Sequence, residues 1–226
     1  MLDPRTVNHP ASRDHRQARV LATSPAAPIV GVSIEDGSPG ADQEAWPGKE
    51  QQVRLRDVEL GDVSAYVRMR CDPVMMAELG GPLPREDIKE KVARDVRAAA
   101  VDEAWIKMIV PGEAAREVVA GRSRCGPTTK HGGEPITEIG WMVLPEFQGR
   151  GLAKQAVRML LELARDDGRW GLVHAFPATT NSPSNGICRS LGFRFAGERE
   201  VAFAGRVLRS NDWVINPATD LSHARR

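Results

Sequence analysis

Apolar residues along this chain recur with two different periods, and the points where the period changes divide it into elements. Leu152, Ala156, Val157, Leu160, Leu161 and Ala164 recur at helical spacing, with charged residues between them. Just ahead, Ile139 to Leu144 is a short apolar run with β-branched and aromatic residues suited to a strand. Pro145 has no N–H to give to a ladder and should end that strand. The hexapeptide Gln148-Gly149-Arg150-Gly151-Leu152-Ala153 joins the two. Thr137 to Arg165 therefore reads as strand, glycine loop, helix, and the remaining elements can be placed outward from it.

Toward the N-terminus, Val53-Arg54-Leu55-Arg56 alternates as a first strand, and Asp62 is placed to cap a helix carrying Val63, Tyr66, Val67 and Met69. A Met-rich turn leads to the break at Gly80-Gly81-Pro82, after which Ile88, Val92, Val96 and Ala99 share one face of a second helix. Trp105 to Val110 predicts a strand, Glu117 to Arg122 its hairpin-like neighbour, and Cys125 to Glu134 a loop. Toward the C-terminus, Gly171 to Phe176 predicts a strand closed by Pro177. Thr179 to Leu191 holds a polar turn and a short helix, and Gly192 to Phe203 and Val207 to Ile215 are two strands turning at Gly205. The order β α α β β β α β α β β gives antiparallel strands, one strand–helix–strand crossover and a final hairpin, the signature of a three-layer α/β domain on a mixed sheet.

That domain spans residues 51–217. Residues 1–50, rich in Pro, Ala, Gly, Ser, Asp and Arg without a sustained period, read as a mostly disordered extension, with a short strand near Ile29–Ile34 as the alternative. Residues 218–226 read as a polar tail. Composition adds mainly exclusions. With 31 basic against 30 acidic residues, nothing favours nucleic acid or an anionic membrane. No apolar run approaches the roughly 20 residues of a membrane span, and the first residues lack the apolar centre of a secretory signal. Three separated cysteines, Cys71, Cys125 and Cys188, form neither a disulfide framework nor a zinc motif, so a reduced cytoplasmic setting is expected.

Strand, glycine loop and helix is how a chain presents backbone N–H groups to a phosphate, and Arg150 can add charge there. The wording excludes a P-loop, which needs GxxxxGK, and a dinucleotide fingerprint, whose third glycine would stand at Lys154. What remains, Q-x-x-G-x-A from Gln148 to Ala153, resembles the pyrophosphate-binding motif of the GCN5-related N-acetyltransferases (GNAT). A second motif, Asn181-Ser182-Pro183-Ser184-Asn185 with Leu191-Gly192-Phe193, is similar to that of the branch containing the ribosomal-protein N-terminal acetylases. The resemblance runs from Val53 to Pro217 and is strongest from Glu138 to Phe193.

It implies an acetyl-CoA-dependent N-acetyltransferase fold and activity: direct transfer to a primary amine of a small molecule or a protein N-terminus, with no metal, by a monomer or homodimer. The loop amides of Gln148, Gly149, Arg150, Gly151, Leu152 and Ala153 would hold the pyrophosphate, and Asn181 and Asn185 would lie beside the pantetheine. The family's central strand splays from its neighbour, which would place a backbone N–H near Met142 or Val143 on the thioester oxygen. Many members protonate the leaving thiolate with a tyrosine that here is Cys188; the ribosomal-type branch has a serine instead, matching Ser184, which could alternatively just cap its helix. Glu138 is the first candidate base, with His174, Glu198 and Glu200 behind it. Trp105, Trp141 and Trp213 read as core or as acceptor-pocket walls. Two other readings stay open: a catalytically weak acyl-CoA-binding module, and a regulatory domain for a different phosphate ligand.

Overall fold

A computed structural model describes residues 52–112, 118–129, 135–203 and 206–221. The expected extension 1–50, the alternative strand at Ile29–Ile34 and the turn at Gly205 lie outside the described residues. Seven strands form one sheet in the order β1-β2-β3-β4-β5-β7-β6. They are β1 (Val53–Asp57), β2 (Trp105–Pro111), β3 (Gly121–Thr128), β4 (Ile136–Val143), β5 (Val173–Ala175), β6 (Arg194–Phe203) and β7 (Arg206–Ile215). Among the described residues only the β4–β5 pair is parallel. The crossover between those two strands is the helix that the periodic stripe foretold.

Helices cover both faces. On one lie α1 (Val63–Arg70) and α2 (Ile88–Ala100), which bury Tyr66, Met69, Ile88 and Val92 against Ile106, Met108 and Met142. On the other lies α3 (Leu152–Asp167), whose six stripe residues are all buried, facing Ile139, Val173, Ala175 and Ile215 among others. Each large aliphatic side chain so buried contributes about 1.5–3 kcal/mol, which is why the stripe was legible before the fold. The short helix α4 (Ser182–Ser190) adds Cys188 to the same layer. Asp62 stands at the N-cap position of α1, but its carboxylate takes Arg56 (2.7 and 2.8 Å) and the Glu59 N–H (2.8 Å) instead of the helix amides.

Three expected boundaries need correcting. The strand expected at Glu117–Arg122 is β3, displaced to Gly121–Thr128, so Cys125 to Thr128 belongs to a strand and not to the expected loop. Its glycines are there for close approach. A Cβ on Gly121 would lie 2.2 Å from the Met142 carbonyl oxygen, and one on Gly126 would lie 2.5 Å from the Ala104 Cβ. Pro127 is tolerated because β2 pairing ends at Cys125, leaving β4 as its one paired neighbour. The strand expected at Gly171–Phe176 shortens to Val173–Ala175, with Leu172 exposed. The tail opens with a capped turn, α5 (Pro217–Asp220), where Asn216 Oδ1 accepts the Ala218 N–H at 3.1 Å. Among the described residues no helix is long and apolar enough to cross a membrane.

Candidate functional site

β4 and β5 pair at only two positions, Thr137↔Val173 and Glu138↔His174. β4 then continues to Val143 without β5, while the chain after β5 stays with β7 through Asn211 N–H to Pro177 O (2.9 Å) and Thr179 N–H to Arg209 O (3.1 Å). A wedge opens between them. Backbone direction along its β4 wall follows from one hydrogen bond. The Leu144 N–H donates to the Ala120 carbonyl at 2.8 Å. In an antiparallel ladder alternate residues turn their amides to opposite sides. Met142 therefore faces β3, and Trp141 and Val143 face the wedge. The Val143 carbonyl agrees, accepting from Gln148 Nε2 at 2.9 Å.

That bond also positions the glycine loop at the wide end of the wedge. Gly149 (φ 75°) and Gly151 (φ 74°) are both left-handed, a region costly for residues with a Cβ. A Cβ on Gly149 would meet nothing within 4 Å, and one on Gly151 only Gln155 Nε2 at 3.8 Å, so both face open space. The first helical bond of α3 runs from Gln155 N–H to Gly151 O (3.0 Å). The amides of Leu152, Ala153 and Lys154 thus have no acceptor within the helix, at its positive dipole end. The Leu152 side chain is an anchor in the core. Arg150 is exposed, its guanidinium 5.5 Å from the Phe147 ring centroid. The cradle suits a phosphate on every count: donors, dipole, room and a nearby cation.

Across the wedge, α4 is capped by Asn181, whose Oδ1 accepts the Ser184 N–H at 3.1 Å. Ser184 is therefore not the cap, and its half-buried side chain stands on the first turn of the helix. Asn185 is buried and its amide is fully engaged: Nδ2 donates to the carbonyls of Ala178 (2.9 Å) and Asn181 (2.8 Å), and Oδ1 accepts from Asn211 (2.7 Å) and Trp213 Nε1 (2.8 Å). It braces the turn and does not turn toward the opening. Cys188 is also buried, and burial pushes its thiol up to about 12, which unsuits it to give a proton near neutrality.

The α1–α2 face at the narrow end of the wedge is polar. Glu138 and His174, register partners in parallel strands, stand on the same face. His174 Nδ1 lies 2.8 Å from Asp212 Oδ1, and Asp212 Oδ2 lies 2.6 Å from Arg199 Nε. From α1 comes Arg70, with Glu138 among the groups that act on its charge; burial first, then repulsion from Arg122, brings its guanidinium down to about 10. Beside it Tyr66 Oη donates to Asp95 Oδ2 (2.7 Å) and accepts from Arg122 Nε (2.9 Å), while Arg122 Nη2 reaches Asp95 Oδ2 at 3.0 Å. Lys91 joins Asp95 at 3.2 Å, yet burial and then Arg122 bring its ammonium down to about 8. Glu198 lies outside this group, paired on the surface with Arg209, and Glu200 is exposed. Trp213 is core, and Trp105 and Trp141 pack partly buried against it.

The structure thus brings Glu138, His174, Val143, the glycine loop and the Asn181–Ser184 turn around one opening. Sequence reasoning missed Asp212, Arg70 and the Tyr66–Asp95–Arg122 group. The members of that last group are 27 to 56 residues apart in the chain, and no local pattern links them. Two ties span the mouth: Thr180 Oγ1 donates to Glu78 Oε2 (2.6 Å), and Arg68 pairs with Glu146 just before the loop.

Comparison with known proteins agrees with this geometry. Among solved structures, the chain is similar to spermidine N-acetyltransferase from Vibrio cholerae in complex with CoA and spermine (TM-score 0.61, 17% identity, 75% of this chain and 98% of that one). RimL, a ribosomal α-N-protein acetyltransferase, is similar to the same degree (TM-score 0.60, 17% identity, 75% and 92%). These likenesses are of fold. In sequence the chain is 30% identical over 84 residues to the uncharacterised N-acetyltransferase YnaD of Bacillus subtilis, a match that spans 37% of this chain and 47% of that protein. The family model described as acetyltransferase (GNAT) domain matches residues 52–194. With that match over more than half its length, the chain belongs to the GNAT acetyltransferase family.

Proposed function

We propose that this enzyme transfers an acetyl group from acetyl-CoA to a primary amine that enters the wedge from the α1–α2 face. One observation carries the reading: two left-handed glycines and the free amides of α3 form a phosphate cradle at the end of the one strand whose Val143 and Trp141 amides face an opening in the sheet. Gly149, Arg150, Gly151, Leu152 and Ala153 hold the pyrophosphate, and Gln148 holds the loop by its bond to Val143. The donor supplies an activated thioester. Trp141 and Val143 offer it a strand edge, and the Val143 N–H is aimed at the carbonyl oxygen, where charge develops. Met142, its amide turned to β3, shapes the opposite face. Asn181 positions the turn, Ser184 hands a proton to the departing sulfur, and Asn185 braces both. Glu138 receives the amine on the acceptor face.

The acceptors named for the structural neighbours, a polyamine and a ribosomal protein, define the first panel: spermidine and a peptide with a free N-terminal serine. Free thiol release from acetyl-CoA is expected with at least one amine, and Ser184→Ala should lower kcat about 10-fold or more. A chain that binds acetyl-CoA yet releases no thiol with any amine would instead be an acyl-CoA-binding module. The three unpaired cysteines fit a reducing, cytoplasmic setting, which localisation by fractionation would test. Light scattering would separate monomer from homodimer.

A further inference from the structure

Glu138 is not alone at the narrow end of the wedge. His174 is its register partner on β5, and the two form the last pair before the strands part. The ring is held by two contacts. Nδ1 lies 2.8 Å from Asp212 Oδ1, and the imidazole stacks on Phe176 with centroids 5.7 Å apart at 12°. Asp212 is itself wholly buried, and its second oxygen faces Arg199 Nε at 2.6 Å. An ionised carboxylate can only accept, so a carboxylate fixed between a guanidinium and Nδ1 requires Nδ1 to carry the proton. In the neutral ring the other nitrogen, Nε2, then keeps its lone pair. The ring is not sealed, since 12% of the side chain is exposed.

We propose that His174 takes the proton of the incoming amine at Nε2, and that Asp212, with Arg199 behind it, is a positioning residue that fixes the tautomer and orientation for this step. The inference rests on the acetyltransferase reading above and assigns within it the group that receives the first proton. The balance is simple. The ammonium N–H bond breaks and its proton goes to Nε2. The freed lone pair forms the N–C bond at the thioester carbonyl as the C–S bond breaks. The second proton passes from nitrogen to sulfur through the Ser184 hydroxyl, and the imidazolium returns its proton to water. Asp212 lies opposite the charge that His174 gains, in a site from which water is largely excluded, where such pairing is strong. Glu138 receives the cationic amine before this step, with Arg70 of α1 near enough for the two charges to act on each other.

The charged groups on the same face of the sheet around the ring are Glu138 from β4, Asp212 from β7 with Arg199 of β6 against it, Arg194 from β6, and, near Glu138, Arg70 from α1. Arg194 pairs in register with Val214, the neighbour of His174 on β7. None of the others offers an uncharged lone pair to an ammonium.

The test uses the full chain labelled with ¹⁵N histidine, the variants His174→Gln and Asp212→Asn, and thiol release from acetyl-CoA with spermidine and with water alone as acceptor. The wild-type ring spectrum should contain one histidine protonated at Nδ1 and bare at Nε2, absent from His174→Gln. In Asp212→Asn that signature should give way to mixed tautomers. Both variants should lose about 10²-fold in kcat while the KM for acetyl-CoA stays within about twofold, a split that loss of fold would not produce. A wild-type ring bare at Nδ1 overturns the proposal whether or not Asp212→Asn folds. So does a folded Asp212→Asn or His174→Gln that turns over within about threefold of wild type, and in that case the acetyltransferase reading stands. A wild type that neither melts higher with acetyl-CoA nor releases thiol overturns that reading first, and this inference with it.

Discussion

Replacing Gly151 separates what the loop does for the fold from what it does for the ligand. Its φ of 74° places any residue with a Cβ in the left-handed region, at a cost of about 1–2 kcal/mol. The stiffer unfolded chain returns about 0.4–1 kcal/mol of that, leaving a net loss of about 1 kcal/mol. No clash adds to it, because the nearest atom to a Cβ is Gln155 Nε2 at 3.8 Å. A domain of this size loses about 2–4 °C of Tm per kcal/mol. Gly151→Ala and Gly151→Trp share this backbone cost, so both should melt about 2–4 °C below wild type without ligand. They should part when acetyl-CoA is added at about a hundred times its Kd. Binding then stabilises the native state by about 2.7 kcal/mol, a rise of about 5–11 °C by the same scaling. Wild type should show that rise and Gly151→Ala a large part of it. In Gly151→Trp the indole fills the cradle and the rise should vanish. Differential scanning fluorimetry over an acetyl-CoA titration measures both effects. A Gly151→Trp protein whose Tm climbs as far as wild type would place the pyrophosphate elsewhere and refute the cradle.

Four further outcomes follow from the surrounding structure. Lys91 has its folded-state value brought down to about 8 from 10.5, so the unfolded chain binds the extra proton between those limits and the ammonium's burial cost is relieved as pH rises through about 8 to 10.5. Urea melts at several pH values should therefore show wild type gaining stability relative to Lys91→Met across that window; a difference that does not change with pH refutes it. Burial raises Cys125 and Cys188 to about 12 each, so a thiol reagent at neutral pH should titrate only the partly exposed Cys71 in the native protein and all three cysteines in urea. Asn185→Ala should cost about 3 kcal/mol in a urea melt, since it leaves the buried Trp213 Nε1 without its acceptor and drops two carbonyl contacts. Gly121→Ala drives a methyl into the Met142 carbonyl at 2.2 Å and should destabilise by about 3 kcal/mol or more, read from the shift in Tm.

Local patterns carried the fold where a single element decides its own neighbours. The α3 stripe was complete because the buried face of an amphipathic helix is set by spacing alone, and Pro145 and Pro177 marked strand ends for a reason internal to proline. β3 was displaced because Gly126 and Pro127 look like breakers in a list of residues, and Gly121 gives no sign there of the close approach it makes. Their fitness depends on the Met142 backbone, on Ala104 and on where β2 stops, none of which is near them in sequence. The site divides in the same way. Gln148 to Ala153 was readable as a loop, but the direction of the Val143 and Met142 amides depended on register with β3. Ser184 was the cap that the sequence suggested, and the cap is instead Asn181, three residues earlier, whose Oδ1 takes the Ser184 N–H. The His174–Asp212 pair, 38 residues apart, could be seen only once β5 lay beside β7.

The two-pair contact between β4 and β5 has a mechanical consequence. It makes the sheet two blades, β1–β4 and β5–β7, joined along a seam only two residues long. Backbone hydrogen bonds within each blade are many, and those that hold the blades together are few, so the seam is where the sheet is cheapest to pry open. A donor whose arm lies against the free edge of β4 while its turn-side atoms meet Asn181 and Ser184 touches both blades at once and acts as a staple. Its binding should slow amide exchange in β5 and β7, far from the glycine loop, as well as in α3. Product release must then undo the staple, and the stiffness of a three-residue strand becomes a determinant of how fast the enzyme can turn over.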